Sequence, residues 1–240
     1  MRENNSLFYL EFIMNNNLEA NKNVSYWDHR SHEYAELFYE SQHRIEVMMR
    51  LNSFLPKKIN ALLDLGCGNG IVTEYILNSR LPQKPNEIHL LDLSPNMLKQ
   101  ARKRLKIYNA FYYQLPMECD LPFNDHTFDV IISSFSMHHI NDVDKLTVFK
   151  NLHRVLAKNG TLVIADEIIF ADHLSEVPSE EMMKLFYPNK NAEFYCNTFS
   201  DLVEYPSKIN VLEKIILEAG FDKYFFERYS DITGIIFLKK

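Results

Sequence analysis

Three of the six glycines in this 240-residue chain, Gly66, Gly68 and Gly70, fall within five consecutive positions. Glycine is required where the backbone adopts a positive φ or where another group approaches it closely. The cluster follows the apolar run Ala61–Leu65, which is typical of a buried parallel strand, and precedes Ile71–Leu77, which has helical spacing. The pattern predicts a tight strand-to-helix turn built around a ligand.

The alternation of strand and helix continues beyond this turn. Apolar runs predict four further strands, over Glu87–Asp92, Ala110–Tyr113, Phe128–Phe135 and Thr161–Asp166. Helical patterns lie between them, one beginning at Ser94-Pro95 and one closed by Asn159-Gly160. Strands that alternate with helices predict an α/β fold, with an open, mostly parallel sheet and helices on both faces.

The end of the chain has a different pattern. Apolar residues recur at helical spacing from Ile209 to Ala219, and Gly220 is a natural helix stop. The ranges Phe221–Tyr229 and Ile232–Leu238 then read as two strands joined by a short turn. We expect an antiparallel C-terminal hairpin at one edge of the sheet.

The segments outside the strand and helix alternation divide the chain. One helix is expected over about 31–51, with Tyr34, Phe38, Ile45 and Met49 on one face, and a short amphipathic helix over Leu7–Met14. We predict an N-terminal helical segment (1–56) that caps the site, a core (57–170), an aromatic-rich insertion (171–206) that forms a substrate cap, and a C-terminal helix and hairpin (207–240).

Composition excludes several classes of protein. Charged residues make up 24% of the chain and no uncharged run approaches the roughly 20 residues of a membrane span. The net charge of −6 disfavours nucleic acid as a partner. Three cysteines at no metal-ligand spacing, without a secretory signal, favour reduced thiols and a cytoplasmic location.

The glycine turn departs from the pattern of dinucleotide-binding proteins. That pattern has its third glycine three positions after the second, where this chain has Ile71. Asp92, at the end of the second predicted strand, is suited to accept both hydroxyls of a ribose. An adenosyl ligand without a pyrophosphate satisfies both observations.

Three motifs in order, within Leu62–Gly70, Leu91–Leu98 and Leu121–Asp129, resemble those of the class I S-adenosylmethionine (SAM) dependent methyltransferases. The resemblance covers residues of about 60–165. It implies a Rossmann-like sheet of seven strands with an antiparallel last strand, SAM as the cofactor, and methyl transfer as the reaction. A small organic acceptor, held under the cap, is the expected substrate.

The resemblance also implies a set of cofactor-binding residues in the loops that follow the strands. Those expected near the methionine and sulfonium are Asp64, Gly66, Cys67, Gly68, Gly70, Ser134 and Phe135. Those expected near the adenosine are Asp92 at the ribose, and Leu93, Met97, Met117 and Glu118 at the adenine. An aromatic side chain from the leading helix, Tyr26, Trp27 or Tyr34, is expected over the cofactor.

Methyl transfer is an in-line displacement, so the main tasks of the protein are to position the acceptor and exclude water. If the acceptor must lose a proton, the candidate general bases are His138, His139 and Glu167. Adjacent residues point in different directions, so we expect no metal site at the histidine pair.

Two alternatives remain open from the sequence. One is a tRNA-modifying enzyme related to carboxy-SAM synthase, whose tail resembles Ala219-Gly220-Phe221 and the residues after it. The other is a non-catalytic SAM-binding scaffold that activates a partner protein. A homodimer formed through the apolar leading segment is also compatible with the sequence.

Overall fold

The computed structural model describes residues 18–79, 84–170 and 204–240, together with residues 184 and 190. The strands within these residues are β1 (Ala61–Leu65), β2 (Glu87–Asp92), β3 (Ala110–Gln114), β4 (Phe128–Ser134), β5 (Leu156–Ile169), β6 (Ser207–Lys208), β7 (Lys223–Arg228) and β8 (Thr233–Lys239). The helices are α1 (Leu18–Arg30), α2 (Tyr34–Glu40), α3 (Gln42–Ser53), α4 (Ile71–Ser79), α5 (Pro95–Arg104), α6 (Asp142–Val155) and α7 (Ile209–Glu218).

The strands form one sheet in the order β3-β2-β1-β4-β5-β8-β7, and the short β6 pairs with β5. Strands β1 to β5 are parallel to one another, whereas β8 runs antiparallel to both β5 and β7. The prediction of a mostly parallel seven-stranded sheet with an antiparallel C-terminal hairpin is confirmed. The strand order reverses between β1 and β4, the place where sheets of this kind bind ligands.

Helices cover both faces of the sheet because successive strand residues point to opposite sides. Leu62 of β1 belongs to a buried cluster that includes Phe38 and Ile76, from the helices that precede and follow this strand. Leu63, the next residue, belongs to a second cluster with Phe149 of α6 and Ile216 of α7. Both faces of the central strands are therefore buried from solvent, which explains their continuous apolar runs.

The prediction of one helix over about 31–51 is wrong. Helix α2 ends at Glu40 and α3 begins at Gln42, because Ser41 adopts an extended conformation and its side chain accepts a hydrogen bond from the Arg44 amide. Ser and Thr compete for backbone amides in this way and therefore favour helix starts. Phe38 is buried as expected, but Met49 is 51% exposed.

Strand β5 begins earlier than predicted. The assigned strand starts at Leu156, directly after α6, and Leu156 pairs with Phe128 before an irregularity in the register. Asn159, with φ of 63°, lies within this irregular start. The Asn159-Gly160 pair therefore marks a bend at the start of β5.

Several sequence-based expectations fall outside the described residues. They are the helix over Leu7–Met14, the environment of Cys196 and nearly all of the cap over 171–206. The boundaries of the four segments stay predictions. Among the helices of the described ranges, none combines the length and the apolar character needed to cross a bilayer.

Candidate active site

A cleft with about 600 Å³ of empty space lies at the carboxyl ends of the strands, where the strand order reverses. Gly66, Asp92 and Ser136 contribute to its lining from the loops after β1, β2 and β4. The segment Leu115–Glu118, after β3, supplies a further part. The last part comes from three residues of helix α1, namely Asn23, Val24 and Trp27.

The glycine turn holds its backbone in the left-handed region, with φ of 69° at Gly66, 51° at Gly68 and 76° at Gly70. An added Cβ at Gly66 would overlap the Ser136 side chain, and one at Gly70 would lie 3.3 Å from the Ala101 Cβ. These two positions need glycine for both conformation and space. The conformation of the turn therefore depends on glycine, and Gly66 brings the turn to the lining of the cleft.

The amides of the turn are directed at the end of β2. Gly66 and Cys67 both donate to the Leu91 carbonyl oxygen, at 2.8 and 3.0 Å. Gly68 donates to Asp92 Oδ2 at 2.7 Å. Dinucleotide-binding turns use such amides to hold a pyrophosphate. Because these three donors are used within the protein, the turn is not arranged as a phosphate site.

Asp92 lines the cleft and is held by the backbone on two sides. Its Oδ1 accepts a hydrogen bond from the Ser94 amide at 2.9 Å, in addition to the bond from Gly68. An ionised carboxylate has about four acceptor sites, so acceptor capacity remains for ligand hydroxyls. Burial raises the pKa of Asp92 to about 6, against the effect of these amides.

Glu118 is a second carboxylate of the cleft, and burial raises its pKa as well. Neither lysine nor arginine is found among the described residues that line the cleft. Burial without a cation is costly for an ionised carboxylate. The cleft is therefore suited to a ligand that carries positive charge and ribose hydroxyls, and SAM has both.

Asp64 lies beneath the turn, with 1% of its surface exposed. Its Oδ2 accepts a hydrogen bond from the Thr73 hydroxyl at 2.5 Å, which ties the end of β1 to helix α4. Burial raises the pKa of Asp64 to about 7. The carboxyl group is thus placed to support the turn from below.

Helix α1 is attached to the cleft through Asp28. The Asp28 carboxylate accepts hydrogen bonds from the Ser94 hydroxyl and the Asn96 amide, both at 2.8 Å. It also accepts one from the Asn96 side chain at 2.8 Å. Ser94 and Asn96 lie at the N-terminus of α5, where the helix dipole favours the negative charge of the Asp28 carboxylate. The attachment positions the cleft-facing side of α1.

Trp27 and His139 meet in the cleft. The Trp27 indole Nε1 donates to His139 Nε2 at 3.2 Å, so the basic lone pair of this imidazole faces the indole. Tyr34 packs edge-on against Trp27, with ring centroids 5.4 Å apart. A Cβ at Gly68 would lie 3.8 Å from the Tyr34 ring. The two aromatic residues together connect the leading helices to the glycine turn and to His139.

His138 and Glu167 lie in a second cavity. This small space is bordered by His138, Lys145, Asp166 and Glu167 but not by His139. His138 Nδ1 is 2.5 Å from Asp166 Oδ1. Two adjacent histidines, with ring centroids 4.0 Å apart, therefore face different spaces.

The predicted site residues thus fall into three groups. Those brought together around the cleft are Gly66, Asp92, Leu93, Met117, Glu118 and His139. Those in the layer that supports the cleft, none of which lines it, are Tyr34, Asp64, Cys67, Gly68, Gly70, Met97, Ser134 and Phe135. Those at the second cavity are His138 and Glu167.

Some members of the supporting layer have clear structural tasks. Phe135 has φ of 50°, and its ring lies 4.9 Å from the Arg44 guanidinium carbon. Burial raises the pKa of the Cys67 thiol well above its ordinary value, so this side chain fits as a small apolar group rather than a nucleophile.

Sequence reasoning missed several residues of the cleft. Leu115, Pro116, Ser136 and Ile140 line it and stand within three positions of predicted residues, so continuity of the loops was the available signal. Asn23 and Val24 come from a helix with no motif of its own. Trp27 was one of three aromatic candidates, and it is the one of the three that lines the cleft.

Comparisons with known proteins agree with this geometry. A family model described as a methyltransferase domain matches residues 63–164. The ubiquinone/menaquinone biosynthesis C-methyltransferase UbiE of Pasteurella multocida is 27% identical over 209 residues, which are 82% of this chain and 75% of that protein. UbiE of Escherichia coli O1:K1 is 32% identical over 128 residues, 52% of this chain and 49% of that protein. The chain matches about half the length of this second relative.

The fold is also found among solved structures. A structure of DhpI in complex with SAH has a TM-score of 0.66 at 15% identity, covering 91% of this chain and 95% of that chain. The three motifs, the internally bonded turn and the family match agree on SAM as the cofactor. This chain is a SAM-dependent methyltransferase whose core, over residues 63–164, matches the methyltransferase-domain family.

Proposed function

We propose that this enzyme transfers the methyl group of SAM to a ring carbon of a small quinone-type acceptor in its reduced form. The observation that carries the proposal is the similarity, over 82% of the chain, to a C-methyltransferase of ubiquinone and menaquinone biosynthesis. The apolar residues that line the cleft, including Val24, Leu115 and Ile140, support an aromatic acceptor.

The cofactor-binding residues are assigned as part of this proposal. Asp92 accepts hydrogen bonds from the ribose hydroxyls, and Leu93 and Met117 pack against the adenine, with Glu118 at its edge. Gly66 gives the methionine moiety room to approach the backbone. Asp64, Cys67, Gly68, Gly70 and Met97 support this surface, and Tyr34, Ser134 and Phe135 complete its surroundings.

Bound SAM supplies an electrophilic methyl group on a sulfonium. The enzyme must hold the acceptor carbon in line with that group and exclude water, and such positioning contributes up to roughly 7 to 11 kcal/mol. The acceptor ring would use one electron pair to form the new carbon–carbon bond as the methyl–sulfur bond breaks and its electron pair stays on sulfur. The ring would then lose one proton when it regains aromaticity. A group that accepts a proton from the acceptor therefore assists the reaction.

His139 is our candidate for this group, in preference to His138 and Glu167, because it lines the same cleft as Asp92. Its Nε2 already accepts a hydrogen bond from Trp27. An acceptor hydroxyl that replaces the indole N–H would meet the same lone pair. Trp27 therefore orients the imidazole before the acceptor arrives and is a positioning residue in this scheme.

The two alternatives have less support. A tRNA substrate is disfavoured by the lack of lysine and arginine among the described cleft residues. In the basic run of α5, Arg104 pairs with Glu74 at 2.6 Å and Arg102 stacks on Tyr112. A non-catalytic scaffold would not need a residue placed like His139. A homodimer and a cytoplasmic location stay predictions.

The test separates cofactor binding from acceptor choice. SAM binding is measured first by calorimetry. SAM with a labelled methyl group is then incubated with benzoquinols and naphthoquinols that lack the ring methyl and, separately, with tRNA. We expect the label on a ring carbon, as located by NMR and mass spectrometry. Label on oxygen, or label recovered with tRNA, would overturn the proposed acceptor while leaving SAM binding intact.

A further inference from the structure

The second cavity is not used by the proposed reaction. It is lined by Met137 and His138 after β4, by the end of β5, by Ser207 of β6 and by Lys145 and Phe149 of α6. Its polar lining includes His138, Asp166 and Glu167, which are 3%, 2% and 2% exposed. So much buried charge is uncommon unless the groups are paired or bind a metal ion.

His138 is fixed in orientation by Asp166. Asp166 Oδ1 lies 2.5 Å from His138 Nδ1, and Oδ2 accepts hydrogen bonds from the amides of Met137 at 2.7 Å and Ser136 at 3.2 Å. The other ring nitrogen, Nε2, lies 4.0 Å from Glu167 Oε1. A carboxylate that holds one nitrogen of a histidine while the other faces acidic groups is the usual arrangement around metal-bound histidine.

Glu167 is directed into the same space. Its side chain is 0% exposed, and neither carboxylate oxygen has a hydrogen-bond partner among the described residues. Glu204 brings a second carboxylate from the other end of the chain. One ligand atom each from His138, Glu167 and Glu204 lies within 4.8 Å of the other two. Three donors at this separation surround a space of the size of one ion.

The charges around the cluster leave a negative excess. Four carboxylates surround the cluster. Three of them interact with His138, namely Asp166, Glu167 and Glu204. The fourth, Asp142, interacts with Lys145, and two cations are present in all. The cations are Arg44, which interacts with Glu167, and Lys145. The Lys145 ammonium is bound to the Tyr205 carbonyl at 2.5 Å, Ser207 Oγ at 2.6 Å and Asp142 at 3.4 Å.

With a neutral imidazole, four negative and two positive charges leave an excess of two. His138 Nε2 lies 4.0 Å from Glu167 Oε1, so this ring nitrogen faces negative charge. One divalent cation would neutralise the excess.

We propose that His138, Glu167 and Glu204 bind one divalent transition-metal ion, Mn²⁺ or Zn²⁺, with Asp166 as the outer carboxylate that orients His138. A donor set of one imidazole nitrogen and two carboxylates binds these ions better than it binds soft metal ions, which prefer thiolate ligands. The Tyr205 amide also donates to the His138 carbonyl oxygen at 2.5 Å. The ion would reinforce this contact, joining the segment that ends the insertion to the loop that carries His139.

The sequence-based expectation concerned a different pair. His138 and His139 were not expected to share a metal, and in the structure they face different cavities. The proposed ligands come instead from the loop after β4, the end of β5 and the segment before β6.

The experiment measures metal content directly. The full chain is treated with a chelator, desalted, incubated with Mn²⁺, Zn²⁺ or Mg²⁺ separately, and desalted again before elemental analysis. We expect about one equivalent of Mn²⁺ or Zn²⁺ per chain, a raised melting temperature, and little retained Mg²⁺. Glu204→Gln and Glu167→Gln should each weaken the affinity for the ion at least tenfold, as measured by calorimetry.

Glu87→Gln is the matched control, because Glu87 also contacts a histidine, at 3.3 Å in the pair with His89, but outside the cavity. This variant should retain the full equivalent. Circular dichroism and SAM affinity report whether each variant is folded, and the partly exposed Glu204 is the substitution least damaging to the core. Failure of the wild-type chain to retain an ion would overturn the proposal. Equal retention by wild type, Glu204→Gln and Glu167→Gln would also overturn it.

Discussion

The two halves of the sheet edge differ in how their polar residues are used. On the β1 and β2 side, the turn amides and Asp92 bind one another and border the open cleft. On the β4 and β5 side, Asp166 and Glu167 turn away from that cleft into a second cavity. Equivalent positions at the ends of parallel strands therefore do not have equivalent tasks.

The adjacent histidines show this difference most clearly. His139 lies in the cleft with Trp27, whereas His138 is buried beside Asp166. One position along a short helical turn rotates the side chain by about a third of a revolution. Location near a site, which made both histidines candidates, does not distinguish a residue that meets the acceptor from one that organises the interior.

The largest expected effect is on the β1 side. Gly66→Ala places a Cβ against Ser136 at a residue with φ of 69°, a conformation that L-residues adopt at a cost of roughly 1–2 kcal/mol. We expect SAM binding to fall by a hundredfold or more in calorimetry. Gly220→Ala is the control, because its φ is 99° but it contacts His153 away from the cleft. Equal loss of SAM affinity in both variants would contradict a specific role of this turn in SAM binding.

The next effect tests the role of His139 in the cleft. His139→Gln should lower the turnover number by about a hundredfold, within the usual range for loss of a general base, with less than a threefold change in SAM affinity. Trp27→Phe keeps an aromatic ring but removes the donor to His139 Nε2, and we expect a smaller loss, of about fivefold. Steady-state kinetics with a verified acceptor provide the measurement. Full activity of His139→Gln would transfer the role to another group.

A third prediction concerns the buried acid beneath the turn. The pKa of Asp64 is about 7 in the folded chain, against about 3.9 when unfolded, so its favourable contribution is complete below pH 4 and is lost as the pH rises to 7. Asp64→Asn should therefore be more stable than wild type at pH 8, by about 2 kcal/mol. This is less than the ~4 kcal/mol of full linkage, because the new amide is itself buried.

Urea unfolding of the SAM-free protein at pH 4, 6 and 8 tests this expectation. The difference between variant and wild type should grow with pH and level off above 7. A difference that stays constant across this range would show that Asp64 is ionised throughout.

The last prediction concerns the ribose position. Asp92→Ala removes the acceptor for two ligand hydroxyls and should weaken SAM binding by about tenfold, or ~1.4 kcal/mol, in calorimetry. It also leaves the amides of Gly68 and Ser94 without their acceptor, so stability should fall as well. Unchanged SAM affinity would place the ribose elsewhere and remove the contrast between the two halves of the edge.

Much of the fold follows from local patterns. The apolar runs located β1 to β5 but not the two-residue β6, and β1, β2, β4 and β5 stood out because strands buried on both faces need continuous apolar side chains. The glycine cluster and Asp92 were found for a similar reason, since positive φ and a strand-ending acid are local requirements. The break at Ser41 was missed because a serine inside an amphipathic pattern gives only a weak helix-start signal.

The site was predictable where its residues lie in the motifs and less so elsewhere. Gly66, Asp92 and Met117, all from the motifs, line the cleft, and their contacts with the cofactor stay predictions. Trp27 reaches its partner across 112 positions of chain, a pairing that depends on how Asp28 docks helix α1 onto α5. No spacing rule within the sequence describes such a contact.

The sequence by itself determined the order of β1 to β5 and their helices, the expectation of an adenosyl ligand without a pyrophosphate, and the resemblance to SAM-dependent methyltransferases. Those properties depend on backbone conformation and on apolar periodicity, which are set by neighbouring residues. Only the tertiary structure decided which histidine faces the cleft and that Glu167 and Glu204 meet His138. Burial and charge pairing arise between residues that are distant in the chain, and their energies depend on the surrounding medium as much as on residue type.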